Sequence, residues 1–134
     1  MRNKLTTFNI RMKGGYVRVC IFPTTREMWT VGDKKALEEF GERKSKKWFG
    51  RAFLYNHGRE IACVFLSHKF MGAGTVSHEM THVASHIVLW RRNFANRKTI
   101  TVKITPQKEE LMAETVDRLN RFFWWHYYKS KKRG

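Results

Sequence analysis

Six consecutive apolar residues, Ile61-Ala62-Cys63-Val64-Phe65-Leu66, leave no polar position to face water on either side of a strand. So short a run, apolar on both faces, reads as an interior β-strand rather than as a half-exposed one. The flanking sequence supplies partners for it. Arg51–Tyr55, a turn at Asn56-His57-Gly58-Arg59 and Glu60–Leu66 make one expected hairpin. Phe8–Lys13 and Tyr16–Phe22, separated by Gly14-Gly15, make another, which Pro23 ends. Between the hairpins, Asp33 is expected to cap a helix over roughly Lys34–Lys46, with Leu37 and Phe40 on one side.

Downstream of the strands the pattern turns helical. After Gly72-Ala73-Gly74 a helix is expected to reach about Arg91, followed by a basic loop, Arg91–Lys98, and a short strand, Thr99–Ile104. Thr105 caps a last helix with Pro106 at its first position and Glu109 and Glu110 near its positive end. That helix is expected to run to about Tyr128, leaving a frayed basic tail, Lys129–Gly134. At 134 residues the chain has the length of one domain, taken as 1–134. The expected class is α+β: a small mixed or antiparallel sheet packed with a histidine-bearing helix and a C-terminal helix.

The first of those helices carries the chemistry. His78-Glu79-Met80-Thr81-His82 matches the H-E-x-x-H pattern. Residues four apart lie one turn up on the same helix face, so both imidazoles can reach one zinc ion. The glutamate between them is offset around the helix, near the metal but free to take a proton from water. Laid out at about 100° per residue, Val76, Met80, Val83, Ala84 and Ile87 form the apolar stripe, with the histidines opposite.

A site of this kind needs a third protein ligand and an open position. Val88 stands where a third histidine would follow in the metzincin spacing, and Ser85 replaces the expected glycine, so the ligand must come from elsewhere. His86 is expected at the surface or behind the metal ligands. On the last helix Glu110, Glu114 and Asp117 share a face, opposite Leu111, Thr115, Leu119 and Phe122. Glu110 is the expected ligand, with Glu109 as its rival, and Glu114 is placed to accept the far N–H of a ligand histidine. His86, His126, Tyr127 and Tyr128 are candidate donors to an oxyanion.

Charge bears on partners. Lys and Arg number 27 against 11 Asp and Glu, a formal net charge of +16. Such a surface favours nucleic acid, acidic proteins or an anionic surface as a neighbour. The aromatic run Phe122-Phe123-Trp124-Trp125-His126-Tyr127-Tyr128 can stack bases, although at helical spacing some of its rings must face the core. No apolar stretch approaches the ~20 residues that span a bilayer, and the first residues lack a secretory pattern. Two cysteines, Cys20 and Cys63, do not make a disulfide framework. A cytoplasmic location without membrane attachment is expected.

With His78-Glu79-x-x-His82 followed by Glu109-Glu110-Leu111-Met112-Ala113-Glu114, the chain resembles the glutamate-liganded zincin metallopeptidases. The resemblance is to the metallopeptidase domains associated with plasmid antirestriction proteins and, more loosely, to ImmA/IrrE-type peptidases, over roughly residues 60–123. It implies a zincin-like α+β fold in which a mixed sheet precedes the active-site helix and one strand lines the substrate cleft. It implies zinc held by His78, His82 and Glu110, with Glu79 as the base. The expected function is hydrolysis of a peptide bond in a protein or peptide substrate, including proteins associated with nucleic acid. The alternative is a basic nucleic-acid-binding protein whose zinc site is structural or vestigial.

Overall fold

The computed structural model describes residues 4–42, 48–91 and 104–133. Strand β1 (Thr6–Met12) turns into β2 (Gly15–Phe22), and helix α1 (Thr25–Phe40) leads to a second hairpin, β3 (Gly50–Leu54) and β4 (Glu60–Ser67). A single 3-10 turn, His68–Phe70, precedes helix α2 (Ala73–Ser85), whose last residues continue as a π-helical turn, His86–Arg91. Helix α3 spans Pro106–Arg133. The class is α+β.

The sheet order is β1-β2-β4-β3. Within each hairpin the strands are antiparallel, whereas β2 and β4 pair in parallel, with Val19 opposite Val64 and Ile21 opposite Leu66. The sheet is therefore mixed, and the apolar run of β4 lies inside it. Alternation then sorts side chains to two faces. Ile10, Val17, Val19, Ile21, Val64 and Leu66 pack under α2 and α3. Cys20, Phe22, Phe53, Cys63 and Phe65 pack under α1, with Met28 and Ala36. Both cysteines are free and buried, and no helix among the described residues is long and apolar enough to cross a membrane.

Three expectations shift. The first turn falls on Lys13-Gly14, because Met12 pairs with Gly15 and Gly14 takes the positive φ of 86°. Gly15 belongs to β2, where a Cβ would stand 2.0 Å from the Arg59 carbonyl oxygen. Helix α1 starts eight residues before Asp33. Its cap is Thr24, whose hydroxyl accepts the Glu27 N–H at 3.1 Å, and it ends at Gly41, in the left-handed region at φ 65°. Asp33 sits in mid-helix, with one buried carboxylate oxygen lacking a partner among the described residues. Helix α3 continues past Tyr128 through most of the expected tail. The expected strand Thr99–Ile104 and the basic loop Arg91–Lys98 lie almost wholly outside the described residues.

Helix α2 is held by its apolar stripe. Val76, Met80, Val83 and Ala84 are all fully buried. Its π-helical continuation is tied to the β3–β4 turn. His86 Nε2 donates to the Tyr55 carbonyl at 2.8 Å, and the Arg91 guanidinium donates to the same oxygen at 2.6 Å and to the Gly58 carbonyl. His86 is thus a buried structural residue, neither at the surface nor behind the metal ligands. Burial lowers its proton affinity, the bond to Tyr55 offsets part of that, and Arg91 adds to the lowering.

Candidate metal centre

His78 and His82 stand one turn apart on the exposed flank of α2, with Glu79 buried beside them. The two Nε2 atoms approach to 3.2 Å and the rings are nearly perpendicular, at 83°. One nitrogen donates and the other accepts, so a single proton joins them. Tetrahedral ligation at the usual zinc–imidazole length of ~2.05 Å places two nitrogens about 3.3 Å apart. The helix already holds them at that spacing, so a cation can take the proton's place without rearrangement of the backbone. Ligand atoms of His78, Glu79 and His82 all lie within 4.8 Å of one another. The donor set of two imidazoles and a carboxylate suits zinc chemically.

Glu79 is the buried member, with only 4% of its surface exposed. It lies against β3, where Gly50 offers no side chain to fill the space. Burial raises its proton affinity above that of an ordinary carboxylate, while His78, His82 and Arg51 pull it back. A carboxyl whose burial favours the protonated form, against neighbours that favour the charged one, is suited to take up a proton and release it again. Arg51 also ion-pairs with Glu42. Neither Arg51 nor Gly50 stands out in the sequence. The alternation of β3 is the one signal that sets the facing residues of that strand.

The structure does not bring the carboxylates of α3 to the histidines. Glu109, Glu110, Glu114 and Asp117 are all exposed, and none of them joins the cluster of His78, Glu79 and His82. Helix α3 packs on α2 and β1, whereas Glu79 faces β3. Glu114 instead lines a cavity of about 400 Å³ with Met12, Ile61 and Ile87. The buried stripe of α3 is also displaced from the expected one. Leu119, Phe123 and Tyr127 are buried, while Leu111 and Phe122 are more than a third exposed.

The candidate oxyanion donors are dispersed. His86 is bonded to Tyr55, His126 stacks on Phe8 of β1 with ring centroids 5.2 Å apart, and Tyr127 is in the core. Tyr128 is exposed on α3. No family model matches the chain, no curated protein matches it, and no solved structure matches it.

Proposed function

We propose that the chain is a zinc-dependent metallohydrolase of the zincin type that cleaves peptide bonds. The observation that carries this reading is the convergence of His78 Nε2 and His82 Nε2 to 3.2 Å beside a buried carboxyl, Glu79. His78 and His82 hold the metal, and with Glu79 as the base no third ligand joins them among the described residues. When bound, zinc supplies Lewis acidity toward a water molecule and a scissile carbonyl. Glu79 takes the proton from the attacking water and returns it to the leaving amine. His78 and His82, and to a smaller extent Arg51, favour the charged form of Glu79 against its burial. Among the described residues β3 is the last strand of the sheet, and its first residue, Gly50, lies against Glu79. An edge strand beside the site suits an extended peptide as substrate. The net charge of +16 favours acidic proteins or proteins associated with nucleic acid.

A second reading rests on one observation: among the described residues, Glu79 is the carboxylate gathered with the two histidines. In that reading Glu79 is itself a ligand, and the zinc site is structural in a basic nucleic-acid-binding protein. Glu79→Gln separates the two. As a base, its loss removes turnover of a quenched-fluorescence peptide library and leaves zinc at wild-type stoichiometry by elemental analysis. As a ligand, its loss removes the zinc.

A further inference from the structure

The solvent side of α3 changes character along its length. Glu109, Glu110, Glu114 and Asp117 occupy its first half, and no acidic residue follows Asp117. At about 100° and 1.5 Å per residue, the next turns gather one stripe about 120° wide and 21 Å long. Its cations are Arg118, Arg121, Lys129 and Lys132, and its rings are Phe122, Trp125 and Tyr128. All seven side chains are exposed, the rings to 39%, 55% and 58%. The core has already taken Leu119, Phe123 and Tyr127 from the opposite face. Three large rings are thus left partly in water: Tyr128 leans on Trp124 and Tyr127, and Trp125 on His126, but none of the three belongs to the core.

The cations lie among the rings rather than apart from them. Lys129 Nζ is 4.6 Å from the centre of the Trp125 ring, and the Arg118 guanidinium is 5.6 Å from that of Phe122. Arg121 is paired with Asp117, so Arg118, Lys129 and Lys132 are the charges left for a phosphate backbone. We propose that this stripe docks single-stranded nucleic acid, with bases stacked on Trp125 and Tyr128 and phosphates held by the flanking cations. A duplex keeps its bases inside and offers the rings nothing to stack on, whereas an unpaired strand exposes base faces and phosphates together. A helix that lies on a membrane separates its apolar face from its basic one, and here immersion of the rings would carry Arg118 and Lys129 with them. A second copy of the chain would bring like charges together. The assignment stands independently of the metal centre.

The test compares an oligothymidylate of about fifteen nucleotides with an abasic oligomer of equal length and charge, using the full chain. The wild type is expected to bind the oligothymidylate about tenfold more tightly or better, with quenching of tryptophan emission. W125A/Y128A is expected to lose that preference while its salt dependence stays unchanged. K129Q/K132Q is expected to bind both oligomers more weakly and to lower the salt slope by about 1.4. Circular dichroism checks that these surface variants fold, and added chelator is expected to leave the preference intact. Equal affinity of the wild type for the two oligomers, or a preference that survives W125A/Y128A, overturns the proposal. So does a W125A/Y128A variant that loses binding to phosphatidylglycerol vesicles, or loses self-association, while binding the oligothymidylate as the wild type does.

Discussion

Gly50 of β3 lies directly against Glu79 of α2: a Cβ on residue 50 would stand 3.2 Å from Glu79 Cγ, with Leu66 Cδ2 at 3.1 Å and Thr75 Cγ2 at 3.3 Å. The strand therefore makes room for the buried carboxyl by omitting a side chain. Each of those distances is tighter than ordinary van der Waals contact, so a methyl group there must displace a neighbour. Gly50→Ala is expected to reduce peptide turnover by moving Glu79, to leave zinc binding intact, and to cost about 1–3 kcal/mol of stability. Steady-state kinetics, zinc content and urea denaturation measure the three separately.

Glu79→Gln keeps the shape of the side chain and removes its ability to take a proton. Turnover is expected to fall by about 10²–10⁴, the usual contribution of a positioned general base. A variant that turns over at the wild-type rate would remove Glu79 from the chemistry.

His82→Ala deletes one of two converging nitrogens, whereas Glu110→Ala deletes an exposed carboxylate outside the cluster of His78, Glu79 and His82. Competition against a zinc indicator is expected to show a loss of tenfold or more in affinity for His82→Ala and His78→Ala. Glu110→Ala is expected to bind zinc as the wild type does. A large loss in Glu110→Ala would make Glu110 the third ligand, as the zincin resemblance implies.

His86 gives the fold a pH dependence of known sign. Its proton affinity is lowered in the folded protein, chiefly by burial, so the unfolded chain binds the proton more readily. The stabilisation is complete above the unfolded value of about 6.5 and is lost as pH falls through the lower folded value. Urea denaturation of the metal-free protein between pH 8 and pH 5 is expected to show stability declining with acid. His86→Gln is expected to flatten that decline. An equal slope in the two proteins would exclude His86 as its source.

Much of this arrangement was legible in the chain. The Ile61–Leu66 run marks the buried strand, and the apolar stripe through Val76, Met80 and Val83 orients α2 so that His78 and His82 face outward. Helix α1 is less legible, because Asp33 has the chemistry of a cap and the chain before it is rich in β-branched residues. The decisive signals are weaker ones: Thr24 with Glu27 three residues on, and the spacing of Met28, Gly32 and Ala36, all buried against the sheet. On α3 the aromatic residues from 122 to 128 are nearly continuous, so hydrophobicity alone does not fix which of them turn inward. Packing chooses Phe123 and Tyr127, and with that choice it sets Phe122 and the acidic residues at an angle the sequence did not define. The position of Glu110 relative to the histidines depends on how two helices pack, which no local pattern encodes.

The parallel pairing of β2 with β4 also sets an order of assembly. The first hairpin closes over a two-residue turn and can form as soon as it leaves the ribosome. The central seam joins Val19 to Val64, so α1 and β3 must be synthesised and looped out before it can zip, and loop-closure entropy opposes that step until many contacts form together. Helix α2 has no surface to dock on until the seam is made. The two imidazoles that converge on α2 therefore depend on a formed sheet for their placement, and a nascent chain paused before residue 67 would expose its strands without either of them.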